Sequence, residues 1–184
     1  MKKLAREFYK GVKMNQAVGT MGVFKSFLSN EKFDTLVELG TGRGTLTLFL
    51  SNIFNGKIHT FSIGNVRMVN ELQKNGVEVV KADVFDKGII KYIKELIDSP
   101  GRVLLLCDNG DKVKEFTTFA PCLKKNDVIM AHDYFKDTKS QDKSIWTGCE
   151  ITEVDVKNSV ASYNLHPFFQ EEFSKIAWMC KIRG

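Results

Sequence analysis

The sequence predicts an α/β protein with a doubly wound, mostly parallel seven-stranded sheet that ends in an antiparallel C-terminal hairpin. Three observations lead there. From residue 35 onward, short apolar runs alternate with segments of helical spacing. The first run leads directly into a glycine-rich loop, Gly40-Thr41-Gly42-Arg43-Gly44. The last two runs, near the C-terminus, are separated only by Ser174-Lys175, a hairpin-length link.

The elements follow in order. Residues Lys2 to Asn30 read as helical, with breaks near Gly11 and Gly19 to Gly22. Thr35 to Leu39 is a short buried strand, and Leu46, Leu50 and Ile53 recur at helical spacing after the glycine loop. Lys57 to Ile63 alternates as a second strand; Val66, Val69 and Leu72 mark a helix stopped by Asn75-Gly76. Val77 to Val84 is a third strand, followed by a helix carrying Ile89, Ile93, Leu96 and Ile97 and closed by Pro100-Gly101. Arg102 to Cys107 is the most apolar strand and is expected at the centre. Val113, Phe116 and Ala120 line the next helix, and Val128 to Ala131 is the fifth strand. A polar loop runs from Tyr134 to about Ser144, and Glu150 to Tyr163 favours helix. Phe168 to Phe173 and Ile176 to Ile182 read as the hairpin strands.

The bulk numbers bound the function. With 184 residues, the chain suits one domain, 1–184, in which residues 1–30 form part of a substrate pocket. Hydrophobic residues are 43% and charged residues 27%, an ordinary globular balance. The longest apolar run, Val103 to Cys107, is far shorter than a membrane span, and no signal-peptide core follows Met1-Lys2-Lys3. A cytoplasmic protein with no membrane partner is expected. The cysteines, Cys107, Cys122, Cys149 and Cys180, are too scattered for a zinc or disulfide framework. The net charge is +5, with Lys2, Lys3, Arg6, Lys10 and Lys13 crowded at the N-terminus. That face is either solvated or a contact for nucleic acid, the less favoured partner. The oligomeric state is left open, a homodimer included.

In a doubly wound sheet, ligands bind beyond the carboxyl ends of the strands. Gly40, Gly42 and Gly44 let the backbone turn tightly and approach a ligand. A dinucleotide fingerprint would need glycine where Thr45 stands. The spacing is instead Gly-x-Gly-x-Gly, with Glu38 two positions before the first glycine. The other strand ends carry Ser62 to Asn65, Asp83-Val84, Asp108-Asn109-Gly110 and His132-Asp133-Tyr134.

Glu38-Leu39-Gly40-Thr41-Gly42-Arg43-Gly44, after an apolar strand, resembles the first motif of class I S-adenosylmethionine (SAM)-dependent methyltransferases. The resemblance covers roughly residues 34–184 and implies that the glycines pass beneath the cofactor. It implies that Glu38 supports the loop and the cofactor's ammonium end. Thr41 belongs to the same loop. At the second strand end the family places a ribose-binding acid, whereas this chain offers only Ser62 and Asn65, weaker neutral acceptors. Asp83 and the Val84 backbone fall where the family contacts adenine. The Asn/Asp-Pro-Pro-Tyr/Phe motif of base N-methylation is absent after the fourth strand.

The ends at Asp108 and at His132-Asp133 are more similar to metal-dependent O-methyltransferases and the cephalosporin-hydroxylase-like group. The resemblance implies a divalent ion, magnesium or manganese, on Asp108, His132 and Asp133, although His132 departs from the usual oxygen ligand. Asp108 also reaches the cofactor site. His132 has two other readings, as a general base or as a packed side chain. Asn15 and Gln16 are polar candidates on the N-terminal wall. The expected function is SAM-dependent O-methylation of a small-molecule acceptor, with metal assistance as one form of it. The alternatives are a degenerate binding protein of the same fold and a nucleic-acid methyltransferase.

Overall fold

The computed structural model describes residues 6–184. Lys2, Lys3 and Leu4, part of the expected N-terminal helix and basic face, lie outside the described residues.

Two short strands, β1 (Phe8–Tyr9) and β2 (Val12–Lys13), form an antiparallel hairpin. This corrects the expected helix. Lys10 and Gly11 both take positive φ, 48° and 76°, which closes a two-residue turn rather than a helical one. Helix α1 (Thr20–Asn30) begins only after Gly19, at φ 97°. The Glu7 carboxylate accepts the N–H groups of Gly19 and Met21 at 3.0 Å, so the hairpin caps the helix.

The alternating pattern then follows the chain: β3 (Thr35–Leu39), α2 (Thr45–Ser51), β4 (Lys57–Ser62), α3 (Val69–Lys74), β5 (Glu78–Lys81) and α4 (Lys87–Asp98). It continues with β6 (Val103–Cys107), α5 (Lys112–Phe119), β7 (Val128–His132) and α6 (Glu153–Ser162). The end of the chain departs from expectation. The strand β8 is Leu165–Pro167, earlier than expected, and Gln170–Ser174 is a helix, α7, ahead of β9 (Trp178–Arg183). Phe168, Phe169 and Phe173 all stack edge-on against Phe27 of α1. A strand would send alternate side chains to opposite faces, so only a turned segment can gather all three there. The antiparallel β8–β9 pair survives, with α7 between its strands.

The seven-stranded sheet has the order β5-β4-β3-β6-β7-β9-β8, with β6 central and only β9 antiparallel to its two neighbours. Both faces are covered. Leu36, Leu104, Leu106, Val128, Met130, Trp178 and Cys180 point to the core beneath α1, α2 and α7. Val37, Leu39, Val103, Leu105, Cys107, Ile129, Ala131 and Met179 point to the core beneath α4, α5 and α6. The two lists interleave at a period of two, and every residue of β3, β6 and β7 is buried. Strand order reverses between β3 and β6, which opens a crevice at their carboxyl ends. No helix among the described residues is long and apolar enough to cross a membrane.

Candidate active site

The cleft lies at that switch point. It has a volume of about 230 Å³ and is walled by the glycine loop, the ends of β6 and β7, Asn15-Gln16 and Trp146. Whole small-ligand pockets run to roughly 300–1,000 Å³, so this cleft suits the reacting end of a ligand. A further groove of about 260 Å³ opens at the ends of β4 and β5, beside Ser62, Gly64 and Asn65.

The loop geometry explains its glycines. A Cβ at Gly40 would stand 2.6 Å from the Asn109 amide and closer still to the Asp108 carbonyl, so only glycine lets the loop rest on the end of β6. A Cβ at Gly42, φ 53°, would meet nothing within 4 Å and would project into open space. A Cβ at Gly44 would point the other way, against Val66, Met68 and Leu72, where Gly44 caps α2.

Glu38, the next-to-last residue of β3, is 1% exposed. Its Oε2 accepts the hydroxyls of Thr47 at 2.6 Å and Thr60 at 2.5 Å, and Thr60 is bonded in turn to Thr41 at 2.7 Å. Among the described residues nothing donates to Oε1. Burial pushes the carboxyl up to about 7, partly opposed by the two hydroxyl bonds.

A second network joins β6 to β7. Asp108 Oδ1 lies 2.9 Å from His132 Nδ1, and Asp108 Oδ2 accepts Gln16 Nε2 at 2.8 Å. Trp178 Nε1 donates to Gln16 Oε1 at 2.9 Å, which ties the N-terminal wall to β9. His132 is 2% exposed and packs between Trp146 and Trp178, with ring centroids 4.8 and 4.9 Å away. Its Nε2 is buried and, among the described residues, has no hydrogen-bond partner, an orphan that calls for explanation.

Asp133 has φ 58°, the left-handed region, which Asp tolerates better than most residues and which recurs at functional sites. Its Oδ2 lies 2.7 Å from the Lys112 ammonium, and its Oδ1 accepts the Trp146 indole N–H. Lys112 also reaches Glu150 Oε2 at 2.7 Å. Burial alone would lower the Lys112 pKa, but the two carboxylates outweigh it and raise it above its ordinary value. Burial would likewise raise Asp133; His132, Lys112 and Trp146 outweigh it and lower it.

The structure thus brings Glu38, Gly40, Thr41, Gly42, Asp108, His132 and Asp133 into one cleft. Ser62 and Asn65 line the other groove, where Ser62 bonds the Gly64 carbonyl at 3.3 Å and Asn65 accepts Lys81 at 2.9 Å. Asp83 accepts the Phe85 N–H at 2.9 Å, and the Val84 side chain is buried in the core. Sequence reasoning missed Lys112. Its signal was the spacing Asp108-x-x-x-Lys112, which returns a first-turn helix residue over the strand end it has just left.

Asp108, His132 and Asp133 each offer a ligand atom within 4.8 Å of the others. The set nevertheless does not fit a divalent ion as arranged. Both oxygens of each carboxylate already accept a hydrogen bond or ion pair, and an ammonium stands against Asp133.

No protein-family model matches the chain. Ribosomal RNA large subunit methyltransferase E of Methanococcoides burtonii is 30% identical over 110 residues, which span 56% of this chain and 39% of that enzyme. Among solved structures, CmcI in its apo form superposes with a TM-score of 0.69 at 11% identity, over 96% of this chain and 76% of that one. CmcI with Mg and SAM gives 0.66 at the same identity and coverage. A SAM-dependent O-methyltransferase of Thermotoga maritima gives 0.50 at 13% identity, over 90% and 54%. The chain has the Rossmann-like fold of class I SAM-dependent methyltransferases. That fold is shared with CmcI and with the O-methyltransferase of Thermotoga maritima.

Proposed function

We propose that this protein is a SAM-dependent methyltransferase that transfers the methyl group to an oxygen of a small molecule. The observation that carries the reading is the glycine loop seated on the end of β6, its Gly42 face open, with Glu38 Oε1 unpartnered beneath it. That cradle suits a cofactor's amino-acid end, whose ammonium would take the free carboxylate oxygen. Ser62 and Asn65 would serve the ribose in place of an acid, and Asp83 with the Val84 backbone would face the adenine. Bound SAM supplies a methyl on a sulfonium, already a strong donor, so the protein's main task is to align donor and acceptor.

His132 is assigned to receive the acceptor's proton. With Nδ1 held by Asp108, the unpartnered Nε2 is the nitrogen left for that task. Asp108 is then a positioning residue. Asp133 anchors Lys112 and Trp146 on the acceptor side. This proton transfer uses no metal, since the oxygens of Asp108 and Asp133 are already taken by Gln16, His132, Lys112 and Trp146. Four unpaired cysteines, two of them buried, suit a reducing compartment, and we place the protein in the cytoplasm.

Calorimetry with SAM and S-adenosylhomocysteine is the first test, followed by transfer of labelled methyl from SAM to a pool of small hydroxyl compounds. No binding at millimolar cofactor sinks the enzyme reading. Binding without transfer favours the degenerate binding protein, to which the missing acid near Ser62 points. The rRNA methyltransferase relative favours a further reading, a nucleic-acid acceptor approached by the basic N-terminus. Strongly salt-dependent RNA binding, lost on neutralising Lys2, Lys3 and Arg6, would establish it.

A further inference from the structure

The Lys112 ammonium deepens this reading and rests on it. We propose that Lys112 is the resident cation of the acceptor side of the cleft, occupying the place at Asp133 that a divalent ion would need. The Asp108–His132–Asp133 group is accordingly metal-free in the working protein.

Three observations support this. The first is position. Lys112 opens α5 immediately after Asp111, whose carboxylate caps the helix by accepting the Lys114 N–H at 3.0 Å. The cap fixes the first turn, and the Lys112 side chain, 7% exposed, runs back to within 2.7 Å of Asp133 Oδ2. Magnesium would need that oxygen at about 2.0–2.1 Å, and two cations on one carboxylate repel each other.

The second observation is occupancy of the donor atoms. Asp108 spends its oxygens on Gln16 and His132, and Asp133 spends its own on Lys112 and Trp146. His132 Nδ1 faces Asp108, which leaves Nε2 as the one ligand atom of the trio without a partner among the described residues. A metal would have to break several buried bonds to gain ligands, each break leaving a buried polar group unsatisfied.

The third is charge. Asp108 and Asp133 bring two negative charges into a largely buried space, and a buried charge persists only when paired. Lys112 supplies that pairing from within the chain and is held from the solvent side by Glu150, whose side chain is half-exposed.

The test is a manganese titration of the full chain, read by calorimetry and by electron paramagnetic resonance. Wild-type protein is expected to show no site tighter than about 1 mM, with or without S-adenosylhomocysteine. Lys112→Met, which keeps the length of the stem and removes the charge, is expected to gain one manganese site at least about tenfold tighter. Lys112→Arg, which retains the charge, is expected to gain none. One stoichiometric site in the micromolar range on the wild type overturns the proposal, as does a folded Lys112→Met protein that gains nothing. Should Lys112→Met fail to fold, ¹⁵N-lysine labelling of the wild type decides: a Lys112 Nζ signal left sharp by stoichiometric manganese upholds the proposal, and selective broadening overturns it. Binding of S-adenosylhomocysteine, measured on the same samples, reports separately on the methyltransferase reading. The failure of one is therefore distinguishable from the failure of the other.

Discussion

Glu38 sits at the end of β3 with its carboxyl pushed up to about 7 by burial and one oxygen unclaimed. A cofactor ammonium placed there favours the ionised form, so binding releases a proton wherever free Glu38 is protonated. Affinity for S-adenosylhomocysteine should therefore rise from pH 5.5 to about 7, by at most about tenfold per unit, and then level off. Calorimetry in buffers of different ionisation heat would detect the released proton, and Glu38→Gln should bind more weakly but without that dependence. The two neighbouring glycines separate fold from function. Gly40→Ala drives a Cβ into the Asp108–Asn109 backbone at a φ of 101° and should cost at least about 2 kcal/mol of stability. Gly42→Ala meets only open space at φ 53°, should cost about 1 kcal/mol, and should lose cofactor affinity while the melting transition stays cooperative. The loop was legible in the sequence because its chemistry is local, seven consecutive residues after an apolar strand. The partners of Glu38 were not: Thr47 and Thr60 reach it from the next helix and the next strand, and no spacing rule links them.

At the scale of elements, legibility followed how much of each segment's fate its own side chains decide. The strands β3, β6 and β7 are apolar throughout because helices cover both sheet faces, and they were read to within a residue or so at each end. The two misread regions are those whose conformation is set from outside. Residues 8–13 carry basic side chains at a helix-like spacing, yet the Lys10-Gly11 turn folds them back. Phe168 to Phe173 has the composition of a strand, but contact with Phe27 of α1 gathers its rings on one side. Lys112 was hidden for a similar reason: it reads as an ordinary helix-surface lysine until α5 is docked against β7. The hairpin-to-helix cap gives a test at this scale. Glu7 satisfies two N–H groups of the first turn of α1, so Glu7→Ala should cost about 1 kcal/mol in urea unfolding. It should also loosen the segment that carries Gln16, visible as faster amide exchange from residue 14 to 21. Equal protection in the variant would show that α1 is held by its packing alone.

For the whole molecule, the buried acids set an unusual dependence of stability on pH. Burial raises Glu115 to about 8, partly opposed by the N–H groups of Asn109 and Asp111 that it accepts at 3.3 and 3.2 Å, and by Lys112. With Glu38 near 7, two carboxyls bind protons more tightly in the folded chain than in the unfolded one. Between the unfolded value of 4.5 and the folded values of about 7 and 8, the native state holds more protons, so stability falls as pH rises. Asp133 acts in the opposite sense: its lowered pKa contributes stability above its ordinary value of 3.8 that is lost in acid. The maximum is therefore expected near pH 4, between the ordinary values of 3.8 and 4.5, with a decline of several kcal/mol by pH 8. Urea unfolding at half-unit steps would trace it. Glu115→Gln should remove the part of the decline that extends to about pH 8, since a neutral amide carries no such linkage, and Glu38→Gln the part that runs from 4.5 to about 7. Saturating S-adenosylhomocysteine should remove the Glu38 contribution and leave that of Glu115, because of the two only Glu38 lines the cleft proposed for the cofactor. A wild-type curve that instead climbs from pH 5 to 8 would mean that both carboxyls are ionised in the native state, and that the proton coupled to cofactor binding comes from another group.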